Sequence, residues 1–227
     1  MTRRMARTGM FAGVLAVVIV CAVMVASQTA YADGANGTIK WGKKMTVSKA
    51  VYCADIDMGS KFKGAKKVTL KSSNKKVLKP MGYYSDIKAL LADIGKKGTT
   101  TLTVKIKTKK GTKTYKGKLK VVAYKNPVSK FKLGSKDLAK KFKSDTYYDY
   151  NESKKKTKVS IKAKKGWKVK KITYGYWSTS KDKWVEKKLK NNSSFTLKED
   201  GGQLVVYLYK KSNNQTETLI VTPVLEN

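Results

Sequence analysis

Five lysines that recur at two-residue spacing have the pattern in this sequence best suited to binding chemistry. These hairpin lysines are Lys105, Lys107, Lys116, Lys118 and Lys120. Alternate residues of a strand lie ~7 Å apart on one face and paired strands lie ~5 Å apart, so the ammonium groups would form a dense cationic surface. Lysine is a hydrated point charge and lacks the planar fork that arginine presents to phosphate or guanine. The pattern predicts diffuse binding of polyanions and no specific nucleic-acid recognition.

A predicted β-hairpin within residues 100–124 positions these lysines. Leu102, Val104 and Ile106 alternate with polar residues before a turn that contains Gly111, and the same alternation follows the turn. Period-two alternation on both sides of a glycine-containing turn is typical of a hairpin with one buried face. We therefore expect all five lysines to project from its exposed face.

The charge balance extends this cationic character to the whole chain. Lysine and arginine number 51 against 15 acidic residues, a net charge of +36. The arginines are confined to Arg3, Arg4 and Arg7, and histidine is absent. A lysine-rich surface also keeps a secreted protein soluble, so the excess has a compositional explanation beside the functional one.

Enzymatic chemistry finds little support in these residue types. Without histidine, neither a Ser-His-Asp nor a Cys-His arrangement can form, and histidine metal ligands are excluded. The sparse acids mostly lie beside lysines in predicted turns, and no pairing of a nucleophile with a base is visible. Asp55 and Asp57 resemble part of a calcium loop but lack its further carboxylates. We expect a protein that is not an enzyme and has no cofactor or metal.

The first 32 residues have the features of a secretory signal peptide. Three arginines precede an apolar run from Met10 to Ala26, and Ala30-Tyr31-Ala32 supplies a cleavage site. An uncleaved membrane anchor is the alternative, but the apolar run is at the lower length limit for a membrane span. We predict cleavage after Ala32, secretion, and no stable membrane anchor afterwards.

The remaining chain is predicted to be all-β, with two tandem antiparallel β-sandwiches. The predicted boundaries are a leader at 33–37, a first sandwich at 38–124, a linker at 125–127 and a second sandwich at 128–225. Pro127 marks the linker, because proline commonly punctuates strand sets. Short strands separated by Gly, Asn and Ser-Asn turns recur on both sides of it.

Local patterns within these sandwiches are of unequal clarity. Residues 45–53 are expected to form one strand, 55–65 a loop, and 85–94 either a strand or a short helix. Leu204–Tyr209 is apolar throughout and is predicted to be a central strand covered on both faces. Cys53, the single cysteine after residue 32, lies in an apolar run, so we expect it to be buried and no internal disulfide to form.

Two motifs in the first half resemble the bacterial immunoglobulin-like (Big-type) domain. Lys71–Val77 is similar to an early turn of that family, and Gly95–Val104 to the glycine-threonine entry of its penultimate strand. The second half, with Gly166–Val169, is similar to Ig-like modules in secreted proteins of Gram-positive bacteria. The resemblance implies tandem Ig-like β-sandwiches that serve as spacers, stalks or adhesion modules. It transfers no functional residues.

Aromatic residues of the second half suggest another binding chemistry. Those expected to form an exposed surface for sugar rings are Tyr147, Tyr148, Tyr150, Tyr176 and Trp177. The first three fall in a predicted loop. The last two are adjacent in a predicted strand and must therefore face opposite ways, leaving one outside. Packing in a sandwich core explains some aromatics equally well.

These patterns lead to three hypotheses about function. The first is a secreted, cell-wall-associated adhesion or spacer module that binds anionic wall polymers or other polyanions. The second is a carbohydrate-binding module that holds polysaccharide on the second-half aromatics. The third is an extracellular binder of nucleic acid or anionic lipid. Salt should separate the first from the second, because polyanion binding weakens steeply through counterion release.

Overall fold

The structure is a computed structural model that describes residues 37–85, 88–151, 156–197 and 202–224. The predicted signal peptide, residues 33–36 of the leader, and residue 225 lie outside it. Its described residues form β-strands joined by turns and four short 3-10 helices. The fold is all-β, with several sheets consistent with two tandem Ig-like sandwiches. No helix of the described residues is long and apolar enough to cross a membrane.

The first half contains eight strands, which surround one hydrophobic cluster. They are β1 (Thr38–Lys40), β2 (Lys44–Ser48), β3 (Cys53–Asp57), β4 (Ala65–Ser72), β5 (Leu78–Tyr84), β6 (Ala89–Ile94), β7 (Gly98–Thr108) and β8 (Gly111–Val122). One sheet has the order β1-β3-β6-β5, and β2, β8, β7 and β4 are neighbours in another. Residues such as Ile56 and Leu90 from the first sheet meet Val47, Leu102 and Leu119 from the second. Cys53 is buried, as predicted.

The second half contains nine described strands around its own hydrophobic cluster. They are β9 (Val128–Leu133), β10 (Lys136–Asp137), β11 (Tyr147–Asn151), β12 (Lys156–Ala163), β13 (Trp167–Ser178), β14 (Lys183–Leu189), β15 (Ser194–Thr196), β16 (Gln203–Lys210) and β17 (Gln215–Val224). The sheet β10-β9-β12-β15 supplies Phe131 and Val159 to the cluster. The strands β14-β13-β16-β17 supply Tyr174, Val206 and Leu219.

One sheet runs through both halves of the molecule. Strand β17 continues it into β2 through a parallel pair between Gln215 and Thr46. Paired residues of neighbouring strands share a sheet face. On β2, Met45 and Val47 point to the first cluster, whereas Thr46 lies on the other side. On β17, the residues that share the Gln215 side include Leu219 of the second cluster. The two halves therefore pack their cores on opposite sides of one sheet.

Several strand pairs are parallel, which the alternation in the sequence did not distinguish from antiparallel pairing. Strand β1 pairs with β3, β2 with β8, and β11 with β17 in this direction. The pairs β7–β8, β13–β14 and β16–β17 are antiparallel hairpins. Parallel partners need not be close in sequence, so a local pattern contains no information about them.

Two local predictions are corrected and one ambiguity is resolved. The expected strand 45–53 ends at Ser48, and the expected loop 55–65 contains the end of β3 followed by a 3-10 helix at Gly59–Phe62. In β3, the buried Ala54 and Ile56 alternate with half-buried aspartates, a strand pattern that the acidic residues obscured. The segment 85–94 contains strand β6, whereas residues 86–87 are outside the described residues.

The segment 125–127 is fixed by contacts with the second half. The Asn126 side chain donates a hydrogen bond to Ala139 O (2.7 Å) and accepts one from Val128 N (3.0 Å). Pro127 is buried, and its carbonyl accepts a bond from Lys164 N (2.8 Å). Tyr124, which the sequence placed in the first sandwich, packs against the second cluster.

Candidate functional site

The hairpin lysines occupy the exposed face of β7 and β8. All five are exposed, while Leu102, Val104 and Ile106 on β7 and Leu119 on β8 are buried on the opposite face. A two-residue connection, Lys109-Lys110, closes the hairpin between Thr108 and Gly111. The backbone thus places the side chains as the alternation predicts, whereas their role in binding stays a prediction.

Threonines separate the lysines across the hairpin. Each hairpin lysine stands directly opposite a threonine, in the pairs Lys105–Thr114, Lys107–Thr112, Lys116–Thr103, Lys118–Thr101 and Lys120–Thr99. Lysines of the two strands are therefore diagonal neighbours, ~7–8 Å apart at the backbone rather than ~5 Å. This spacing reduces their mutual repulsion and leaves hydroxyl groups between the charges.

Neighbouring strands extend this surface beyond the hairpin. In β4, Lys67 pairs with Lys107 and Lys71 with Thr103, and in β2, Lys44 pairs with Lys118. We define the lysine face as these exposed residues together with the hairpin lysines: Lys44, Lys67, Lys71, Lys105, Lys107, Lys116, Lys118 and Lys120. The added three were not among the lysines predicted from the sequence. The alternation of Val68 and Leu70 with lysines could have indicated an exposed lysine row on this strand. The sequence has no signal for the strand order that places this row beside the hairpin.

The lysine face ends in a cationic cavity at the boundary between the halves. This cavity of about 520 Å³ is lined by Lys44, Lys118 and Lys120 of the face and by Lys211 of the second half. Asn213 and Asn214 complete its wall. Four lysines around one concavity concentrate positive potential there, because clefts lined by one sign of charge focus the field.

Side-chain hydrogen bonds connect the two halves where the shared sheet passes from one to the other. We call the residues that form these bonds the junction. Thr46 Oγ1 donates to Asn213 O (2.8 Å), and Asn214 Nδ2 donates to Lys44 O (3.0 Å). Ser48 Oγ donates to Glu217 Oε2 at 2.9 Å. These bonds join residues that are about 170 positions apart in the sequence.

Glu217 is a carboxyl group buried within the junction. Its side chain is 1% exposed, and Gln215 Nε2 donates to its Oε1 at 2.7 Å. Burial raises the pKa of Glu217 from 4.5 to about 7, although the hydrogen bonds from Gln215 and Ser48 oppose the shift. Burial also raises the pKa of Tyr124, with a further contribution from the charge of Glu217. The junction therefore contains a group that titrates near neutral pH.

The predicted aromatic loop is a strand, and this corrects part of the proposed sugar surface. Tyr147, Tyr148 and Tyr150 belong to β11, which pairs in parallel with β17. Tyr147 is 44% exposed, whereas Tyr150 is 2% exposed within the second cluster and Tyr148 packs against that cluster. Tyr150 is thus a core residue, because alternate residues of β11 face the core.

Tyr176 and Trp177 face opposite sides of β13, as the regular strand pattern predicts. Tyr176 packs against the second cluster near Tyr174 (ring centroids 6.0 Å apart), and Trp177 is 45% exposed. Trp177 pairs across the hairpin with Trp184, whose ring lies over Gly175. A Cβ at Gly175 would lie 2.4 Å from that ring, so glycine is required for this packing.

The two aspartates that resembled a calcium loop make local structural contacts. Asp57 Oδ1 accepts a hydrogen bond from Gly59 N (2.7 Å), and Asp55 Oδ1 accepts one from Leu90 N (3.2 Å). Within the part of the chain that the structure describes, no group of three or more His, Cys, Asp or Glu side chains could hold a metal ion.

No known protein family and no curated protein matches the sequence. Among solved structures, domains 5–6 of the S-layer protein SbsC are similar (17% identity, TM-score 0.30), with 81% of this chain and 95% of that chain covered. A longer fragment of the same surface layer protein, domains 4–9, gives the same identity and TM-score, but only 30% of its length is covered.

A third similar structure is a SusE-like surface-located polysaccharide-binding protein from the Bacteroides thetaiotaomicron heparin utilisation locus. Its identity is 15% and its TM-score 0.26, with 84% of this chain and 34% of that chain covered. The chain therefore has distant structural similarity to β-sandwich domains of bacterial surface proteins.

Proposed function

We propose that this protein is a secreted, non-enzymatic Ig-like module of the bacterial surface, and that it binds anionic cell-wall polymers through the lysine face. It would serve as an adhesion or spacer module that charge retains at the wall. The observation that supports this best is the arrangement of eight exposed lysines on one side of four neighbouring strands.

The geometry of the lysine face suits a flexible polyanion. Its rows of lysine and threonine offer many equivalent contacts, and none of them has the fixed fork geometry that arginine provides. A polymer bound in this way releases its counterions, so the affinity depends strongly on salt. The cavity beside Lys211 concentrates positive potential at the end of the face, because four lysines line it.

Retention on purified Gram-positive walls tests the proposal. The chain from Asp33 should bind walls at low salt, elute at high salt, and bind poorly to walls stripped of their anionic polymers. Replacement of all five hairpin lysines by glutamine should greatly reduce retention, because each lysine contributes one counterion-releasing contact.

A control variant with the same loss of charge makes the test specific to this surface. It replaces five exposed lysines of the second half by glutamine: Lys158, Lys162, Lys164, Lys187 and Lys188. We expect it to retain most wall binding. If both variants lost retention equally, net charge rather than the lysine face would be responsible. Preference for DNA or anionic vesicles over walls would support the third hypothesis instead.

A further inference from the structure

A second cavity lies at the junction, on the side of the shared sheet opposite the lysine face. It measures about 510 Å³, within the range of roughly 300–1,000 Å³ that is typical of small-ligand sites. Trp41 from the first half and Tyr207 and Tyr209 from the second line it, and Lys40 and Lys170 lie at its edge. We call these five residues and their cavity the aromatic cleft. The three rings are half-buried, so each keeps part of its surface open.

A β-bulge brings consecutive lysines to this side of the sheet. The register between β13 and β16 shifts between Val169 and Lys171, which makes Lys170 the extra residue. Bulges re-aim the side chains that follow them. As a result, the Lys170 ammonium lies 5.3 Å from the ring centroid of Tyr209, and the Lys171 ammonium lies 5.3 Å from that of Tyr207.

The two lysines differ in their further contacts. Lys171 forms an ion pair with Glu186 at 3.0 Å, which compensates much of its charge. Lys170 lines the cavity itself. Glu217 also borders the cavity, but its carboxyl group lies on the other side of β17, where it accepts hydrogen bonds from Ser48 and Gln215. Lys170 is therefore the cation best placed to meet an anionic group in the aromatic cleft.

Both walls of the aromatic cleft are fixed before any ligand binds. Gly117 allows Trp41 to approach β8, since a Cβ there would lie 3.4 Å from the Trp41 ring and 2.6 Å from Gly42 O. On the opposite wall, the Tyr209 hydroxyl donates a hydrogen bond to Asn214 Oδ1 at 3.1 Å. Pre-formed walls lower the entropic cost of binding.

We propose that the aromatic cleft binds an acidic oligosaccharide. Flat apolar ring surfaces from two walls suit the apolar faces of sugar rings, and Thr38, Thr216 and Thr218 line the space between them. Lys40 and Lys170 would meet the carboxylate or sulfate groups of such a ligand. This site is separate from the lysine face and does not depend on the function proposed for it.

Indole N–H signals in NMR spectra provide a direct test, because the chain has only four tryptophans. The chain from Asp33 is titrated with tetragalacturonate, and Trp→Phe variants assign the signals. We expect tetragalacturonate to shift the Trp41 signal and to leave the Trp177 signal unmoved. Maltotetraose, a neutral tetrasaccharide, and tetrapolyphosphate, an anion without sugar rings, should each need at least about tenfold higher concentration to shift the Trp41 signal equally.

Two single substitutions on β13 provide a matched pair. Lys170→Gln should weaken tetragalacturonate binding about tenfold, as expected for loss of a charge-assisted contact. Lys168→Gln, an exposed neighbour outside the cavity wall with the same loss of charge, should change it less than about twofold. Loss of all five hairpin lysines should leave the tetragalacturonate titration of the Trp41 signal unchanged, which separates this site from the lysine face.

The proposal would be overturned by an unmoved Trp41 signal or by equal effects of the Lys170 and Lys168 substitutions. An equal shift of the Trp41 signal by tetrapolyphosphate or by an oligothymidylate would also overturn the assignment to a saccharide. Both lysine variants are checked for folding by the dispersion of their amide spectra, so a weakened titration cannot be attributed to an unfolded protein.

Discussion

The lysine face and the aromatic cleft lie on opposite sides of the same sheet, yet they depend on different levels of structure. The hairpin of the lysine face is built by residues close in sequence, and each of its lysines points outward by strand alternation alone. The aromatic cleft brings Trp41 together with Tyr207 and Tyr209, more than 160 positions away. Alternation within strands therefore determines the lysine positions of the hairpin, whereas contact between the two halves determines the aromatic cleft.

This difference has energetic consequences. A diffuse charged surface should tolerate the loss of any one lysine with a small change in affinity, because its contacts are equivalent. A cleft should instead be sensitive to small displacements of its walls. Changes at the junction should therefore affect the aromatic cleft more than the lysine face.

Titration of Glu217 should have the largest effect on stability. Its pKa in the folded protein is raised from 4.5 to about 7, so the folded state binds this proton more tightly than the unfolded chain does. This contribution to the free energy of unfolding is complete below about pH 4.5, declines up to about pH 7 and is then lost. The shift corresponds to roughly 3 kcal/mol.

Urea denaturation from pH 4.5 to 8 measures this contribution as the difference between parent and Glu217→Gln. The variant has no carboxyl group to titrate at the junction, so its stability should fall less over this interval. Identical pH profiles for the two proteins would contradict a buried, proton-binding Glu217. Polyanion binding by the lysine face should follow the same salt dependence in both.

Gly117→Ala should have a smaller effect, focused on the aromatic cleft. The added Cβ would meet Gly42 O at 2.6 Å and Met45 Cε at 2.8 Å, which forces the Trp41 wall to move. We expect a loss of about 1–3 kcal/mol in the free energy of unfolding. The control Lys116→Ala, on the adjacent exposed residue, should stay within about 0.5 kcal/mol.

The same variant tests the comparison between the two surfaces. Gly117→Ala should weaken tetragalacturonate binding while wall retention at low salt stays close to that of the parent. Equal losses at both surfaces would indicate that the lysine face also depends on the junction.

The strands that could be predicted well from the sequence are those in which buried apolar residues alternate regularly with exposed polar residues. In β7 and β8, buried Leu102, Val104 and Leu119 alternate with exposed lysines, so both the hairpin and its outward face were predictable. Strand β3 had the same period, but its outward Asp55 and Asp57 suggested a loop. Tyr150 was misplaced because tyrosine suits both exposed and buried positions, and only the pairing of β11 with β17 decides between them.

The aromatic cleft could not have been found from local patterns. The apolar run at 204–209 was predicted to be covered on both faces, whereas Tyr207 and Tyr209 are half-buried and line the cavity. The bulge at Lys170 and the pair between Gln215 and Thr46 arise from strand pairing that no local sequence pattern indicates. The bulge depends on the pairing of β13 with β16, and the Gln215–Thr46 pair depends on contact between the two halves.

The lysine face should contribute least to stability of all these features. Each hairpin lysine is exposed, so its replacement removes no buried contact, and replacing Lys107 and Lys118 also relieves repulsion from Lys67 and Lys44 on the neighbouring strands. The five-lysine glutamine variant should therefore have a free energy of unfolding within about 0.5 kcal/mol of the parent, or slightly higher. A clearly destabilised variant would show that these lysines have a structural role.

The salt dependence of affinity for long-chain polyphosphate tests the central claim most directly. The logarithm of the association constant is measured against the logarithm of salt concentration for the parent, the five-lysine variant and the second-half control variant. If the hairpin lysines contact the polymer, the slope of the five-lysine variant should be shallower by up to about 3.5, while the control keeps nearly the slope of the parent. Equal slopes for the parent and the five-lysine variant would contradict binding through the lysine face.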